Sequence, residues 1–192
     1  MVPHLSLTVD LSTEATLRAG AAGVVARVRP AWRQEDIRWR IYTDGITNKL
    51  VGARGEGGEA VLVRVYGEGT DRIIDRQEEM RNMVRLQGIG CGSKLYASFD
   101  NGICYEFLEG EVLGQARLGE EGVWRGVATR LAAMHLLPLE EGKDGPCLWA
   151  RIRQFIACCE PSCRPRLAHE LPCKQELVAG GRHLGARAFL QQ

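Results

Sequence analysis

Three short runs of alternating residues, at 37–42, 47–53 and 60–66, constrain this chain more than any other feature. In the third, Val61, Val63 and Val65 fall on one face, and Leu62, Arg64 and Tyr66 on the other. A period of two belongs to extended backbone, because successive side chains leave a strand on opposite sides. In the first run, Ile37, Trp39 and Ile41 alternate with Arg38, Arg40 and Tyr42. Asp44-Gly45 and the glycine-rich stretch 52–58 separate the runs, which predicts two hairpin connections. Two further strands are expected at Lys94–Phe99 and Ile103–Leu108, joined by an Asp100-Asn101-Gly102 turn.

Helical spacing lies between and around these runs. Asp10, Ser12 and Thr13 can cap a helix carrying Leu17, Ala21, Val24 and Val28, and Pro30 ends it. Residues 71–87 place Glu79, Met83 and Leu86 on one face, with Met80 and Val84 beside them, until Gly88 and Gly90 stop the helix. Glu120–Leu137 aligns Val123, Val127, Leu131 and Met134 and closes at Pro138. This order predicts an α+β fold, a five-stranded antiparallel sheet with one helix packed across it. His135 lies on an otherwise apolar helix, where a satisfied boundary histidine is the expectation, and it receives no role.

Composition narrows the function classes. The 192 residues carry 25 basic and 24 acidic side chains, a net charge of +1, so nothing draws the chain to nucleic acid. Met1–Asp10 has no basic segment leading into an apolar run, so no signal peptide and no membrane insertion are expected. Seven cysteines without a secretory signal are expected to be reduced thiols in the cytoplasm.

Several residues invite a functional reading. Residues Gly45 to Asn48 form a turn between strands, whose N–H groups, with Thr47 and Asn48 side chains, can point at phosphate oxygens. A plain hairpin turn accounts for the same segment. Arg64 is a cation in the middle of an apolar strand, suited to hold phosphate with a planar fork of donors. An arginine on a solvated sheet face is the alternative. Glu79 sits on the core-facing stripe of its helix, and a carboxylate there needs a cation, for which Arg64 is the candidate. Glu78 is the fallback, and a solvent-facing acid the plainer reading.

The segment Tyr42-Thr43-Asp44-Gly45-Ile46-Thr47-Asn48-Lys49-Leu50-Val51 resembles the phosphate-loop signature of ethanolamine kinases. Val61–Gly67 resembles that family's next strand, and Lys94–Tyr96 and Asn101–Phe107 resemble its later strands and hinge. The likeness runs from about residue 40 to 155. It implies a protein-kinase-like N-terminal lobe over 37–113, after a helical extension at 1–36. The first helices of the following lobe would occupy 114–155, and 156–192 would be a divergent, poorly ordered tail. It also implies ATP with Mg2+, ethanolamine as acceptor and phosphoethanolamine as product, on the route to phosphatidylethanolamine. Gly45, Thr47, Asn48, Arg64 and Glu79 would then cradle the nucleotide. Glu106 and Leu108 would meet the adenine edge through their backbone, although an ordinary edge strand would look the same.

The family's catalytic loop and Asp-Tyr-Glu segment have no counterpart. The last Asp is Asp144 and the last Asn is Asn101. No catalytic residue and no metal ligand is therefore assigned, and the chain is expected to be a truncated form, incompetent alone. The alternative is a non-catalytic nucleotide-binding or regulatory partner of a full-length kinase. The tail also spells Cys159-x3-Cys163-x5-His169-x3-Cys173, which approaches a zinc-knuckle pattern without matching it. Accidental coding is the plainer reading, and metal analysis separates the two.

Overall fold

The computed structural model describes residues 2–42, 48–138 and 148–159. One compact unit comprises Met1–Pro138, and a second comprises residues 139–192. The first unit is built on a six-stranded sheet in the order β1-β5-β6-β4-β3-β2. Its strands are β1 (His4–Leu5), β2 (Arg38–Tyr42), β3 (Asn48–Arg54), β4 (Ala60–Tyr66), β5 (Leu95–Phe99) and β6 (Gly102–Glu106). The helices are α1 (Glu14–Val28), α2 (Arg76–Gly88), α3 (Gln115–Leu118) and α4 (Glu121–His135). In the second unit, α5 spans Leu148–Cys158 and so continues past Gln154, where the sequence loses its period. Among the described residues no helix is long and apolar enough to cross a membrane.

Five of the strands stand where alternation places them, and their pairing is antiparallel throughout. The sixth, β1, pairs in parallel with β5 through His4 and Leu5. A two-residue ladder is too short to leave a period in the sequence, so the sheet has one strand more than expected. The side chain of Asn101 fastens the same N-terminal segment. It accepts from the Val9 N–H at 2.9 Å and donates to the Val9 carbonyl at 2.8 Å, imitating a strand partner.

Helix α1 is the helix that covers the sheet. Thr13 caps it by accepting from the Thr16 N–H, and the Thr16 hydroxyl accepts from the Thr13 N–H in return. Leu17, Ala21, Val24 and Val25 are buried in one cluster with Val51, Ala53, Val61, Val63, Val65, Phe99 and Cys104. Residues 1–36, an extension in the sequence reading, thus share a single core with the sheet. Burial pushes the Cys104 thiol up to about 12, helped down slightly by the Arg29 cation, so it stays protonated.

Helix α2 starts later than expected. A short 3-10 turn occupies Thr70–Arg72, following Gly69 at φ +72°, and Asp75 then caps the helix proper. Its carboxylate accepts from the N–H groups of Gln77 and Glu78. No residue of α2 is fully buried. The helix rests mainly on β5 and meets the face of the sheet opposite α1.

Gly102 opens β6 where β4 and β5 crowd it. A Cβ there would lie 2.3 Å from the Arg64 carbonyl oxygen and 2.3 Å from the Phe99 ring. Backbone cannot yield as a flexible side chain does. Gly102→Ala is therefore expected to lower unfolding free energy by about 2–3 kcal/mol, read as a lower urea midpoint. An unchanged midpoint would show that the strands separate more easily than this spacing implies.

Candidate functional site

The two faces of β4 set up the site. Its odd residues enter the α1 core, so Leu62, Arg64 and Tyr66 must leave on the other side. Arg64 therefore emerges beneath α2, in register with Leu50 of β3 and Ile103 of β6. Helix α2 brings Glu79 down onto it, and Arg64 Nη2 donates to Glu79 Oε1 at 2.5 Å. The side chains are only 18% and 25% exposed, so the contact is largely shielded from water. This is the pairing the sequence suggested, and Glu79, not the fallback Glu78, makes it.

A third member escaped the sequence reading. Arg76 Nη1 donates to Glu79 Oε2 at 3.1 Å, so each carboxylate oxygen holds a different guanidinium. Arg76 also donates to the Thr70 hydroxyl, which in turn donates to the Gly67 carbonyl at 2.8 Å. Its guanidinium lies 3.8 Å from the centre of the Tyr66 ring, and that of Arg64 lies 5.6 Å from the same ring. Such stacking is favourable for cations over an aromatic face. The Arg76-x-x-Glu79 spacing puts both on one side of a helix and was a usable signal. It is easily overlooked in a segment with six charged residues between 71 and 79.

The electrostatics favour an anion. Among the described residues, two guanidinium groups share the Glu79 carboxylate, so this triad by itself carries a net charge of +1. Arg64 Nε is buried and has no acceptor among the described residues. Burial, and then the Glu79 charge, push the Tyr66 hydroxyl upward, while Arg64 and Arg76 pull it down. Burial likewise raises Tyr105, against the pull of Arg64. Both phenols stay neutral at pH 7, so neither cancels the excess positive charge.

The other expected residues are placed less completely. Asn48 begins β3 opposite Tyr66, half-buried. Gly45 and Thr47 lie outside the described residues. The Glu106 N–H is donated to the Lys94 carbonyl at 2.9 Å, and that of Phe107 to the Ala60 carbonyl at 3.3 Å. Leu108 follows these last bonds and is 61% exposed. Of the cysteine-rich tail, Cys163, His169 and Cys173 also lie outside the described residues. Among those described, no group of three His, Cys, Asp or Glu side chains could hold a metal ion.

A separate cleft of about 640 Å3 opens beyond Arg76, with Tyr66, Thr70, Met80, Phe99 and Asp100 among its walls. Neither Arg64 nor Glu79 lines it, while Arg76 does, together with the acids Glu68, Asp71 and Asp100. Farther along the chain, Trp124, Val127 and Leu131 of α4 are 45%, 39% and 47% exposed. Val123, Val127, Leu131 and Met134, aligned by the sequence, line an apolar groove there.

Comparisons with known proteins show the family and the fold. The sequence model of the family described as Choline/ethanolamine kinase matches residues 40–177. The match passes Phe155 and enters the cysteine-rich tail. Ethanolamine kinase 2 of Mus musculus is 34% identical over 189 residues, covering 95% of this chain and 48% of that protein. Ethanolamine kinase 1 of Homo sapiens is 38% identical over 161 residues, covering 81% of this chain and 35% of the other. The solved structure of a Plasmodium vivax ethanolamine kinase superposes with a TM-score of 0.65 at 25% identity, over 76% of this chain and 44% of that one. The mixed sheet-and-helix architecture is that of a protein-kinase-like fold. The chain spans about half the length, or less, of the curated relatives it matches.

Removing Glu79 tests the charge balance. Glu79→Ala would leave two guanidinium groups facing each other and is expected to cost about 1–3 kcal/mol in urea unfolding. Glu79→Gln keeps the shape and one acceptor, and should cost less. Equal loss in the two variants would show that packing, not charge, holds α2 to the sheet.

Proposed function

The chain belongs to the choline/ethanolamine kinase family, and on that premise we propose that it forms the nucleotide-holding part of an ATP-dependent ethanolamine kinase. The observation that carries this is the half-buried Arg64–Glu79 pair at 2.5 Å, with a second guanidinium left over. In this reading Arg64 faces the phosphates of ATP, and residues 45–48 contribute to holding them. Gly45, Thr47 and Asn48 would supply backbone and side-chain donors. The strand end at Glu106–Leu108 would meet the adenine edge. An anion suits this set of donors, since catalysis of phosphoryl transfer is chiefly positioning and charge stabilisation.

Mg2+ belongs to the reaction as the family reading gives it, but the described residues do not suit it. No cluster of acidic ligands stands among them, and no step is assigned to the metal here. The proton of the ethanolamine hydroxyl also needs an accepting carboxylate. No Asp follows Asp144 and no Asn follows Asn101 in these 192 residues. We therefore assign them nucleotide holding without transfer. The reaction, its place in phosphatidylethanolamine synthesis and a cytoplasmic location rest on kinship with the relatives.

A second reading makes this chain a nucleotide-binding or regulatory partner of a full-length kinase. The exposed apolar side chains of α4 favour it, because a groove of this kind invites cover.

Purified chain incubated with ATP, Mg2+ and ethanolamine is expected to yield no phosphoethanolamine, while titration with ATP should show weak binding that Arg64→Ala weakens further without abolishing it. Product formation would refute the assignment of holding without transfer. Addition of the chain to a full-length relative, with no change in that enzyme's rate, would remove the second reading.

A further inference from the structure

We infer that Arg76 is a positioning residue, which fixes the orientation of Arg64 by holding the far oxygen of Glu79. The inference rests on the reading above only in its consequence for nucleotide; the positioning itself is a property of this chain.

The geometry is a relay with one joint at each link. The Gly67 carbonyl accepts from Thr70 at 2.8 Å, and Thr70 accepts from Arg76. Arg76 donates to Glu79 Oε2 at 3.1 Å, and Glu79 Oε1 accepts from Arg64 at 2.5 Å. A carboxylate held at one oxygen can swing about its last torsion, which is broad and two-fold. Held at both, it cannot. Glu79 alone would therefore pair with Arg64 without aiming it, and Arg76 removes that freedom. Support of this kind decides whether a binding group sits in its working geometry.

Two further observations set Arg76 apart from an ordinary surface arginine. It opens α2, where a cation opposes the positive end of the helix dipole. A residue kept against that preference has another interaction to serve. It is also only 15% exposed and stacks 3.8 Å from the Tyr66 ring centre, so its position is set by packing as well as by charge. Arginine suits the task because its planar fork reaches Thr70 and Glu79 together, with Nη2 on one and Nη1 on the other. A lysine ammonium is a single point and cannot span both.

The test follows the Arg64 Nε–H signal by NMR in purified chain. Arg76→Gln is expected to speed exchange of that proton about tenfold and to weaken ATP about tenfold, as for loss of one charge-assisted bond. Arg76→Lys should restore part of both. Combining Arg76→Gln with Arg64→Ala should weaken ATP no more than Arg64→Ala alone, since the two act in series. If Arg76→Gln does not fold, Thr70→Val loosens the same arginine from its other end, and it should move the Arg64 signal in the same direction. An Arg64 signal unchanged in Arg76→Gln, or in Thr70→Val where that variant is the one that folds, overturns the inference. So do additive losses of ATP affinity. Absence of ATP binding by the unaltered chain would instead overturn the proposed function, and the exchange rates would still decide the positioning.

Discussion

Strand β4 lies inside the sheet, and its alternation divides the whole unit into two sides. Val61, Val63 and Val65 are fully buried against α1 and contribute the centre of the core. Burial of such side chains is worth about 1.5–3 kcal/mol each, enough to set the register firmly. A slip of one residue would place three valines in the open and drive Arg64 into an apolar cluster. Nothing in that cluster could partner a guanidinium. The hydrophobic side of the sheet thereby dictates where the charge on the other side must appear.

The second side is organised by charge more than by apolar burial. Helix α2 buries no residue completely. It is capped by Asp75 at one end and tied through Glu79 to Arg64 near its first turns. A helix attached in this way is less stably docked than α1, because a shielded ion pair gives back much of its Coulomb attraction as desolvation. Under the proposed function, that suits a place where the phosphates of a nucleotide are to be received. The surplus cation can be satisfied by an anion without rebuilding the core behind it.

Much of this was legible in the residues, for definable reasons. Alternation at 60–66 fixes both faces of β4, and helical spacing at 71–87 turns Glu79 toward it. The pairing of Arg64 with Glu79 follows from those two periods and from the cost of burying a lone charge. Arg76 was missed although its spacing to Glu79 was there to read, because six charged residues crowd 71–79 and no period reports which carboxylate oxygen each cation takes. Strand β1 was missed for want of length. The clamp of Asn101 on Val9 was missed for another reason: a side chain replacing a strand partner leaves no pattern at all. The start of α2 was misplaced because helical spacing was read from Asp71, whereas Asp75 caps the helix. Only the turn after Gly69 selects the second.

What the chain determined by itself was therefore local and periodic: which segments extend, which coil, and which face of each carries the apolar atoms. Those follow from backbone geometry and the aversion of hydrocarbon for water, and both act on near neighbours in sequence. The tertiary structure alone decided which groups separated along the chain would share a hydrogen bond. The N-terminal segment joining β5, and the side chain of Asn101 closing on Val9, are of that kind. They depend on distances of a few tenths of an ångström between elements, and such distances exist only after packing has chosen one arrangement.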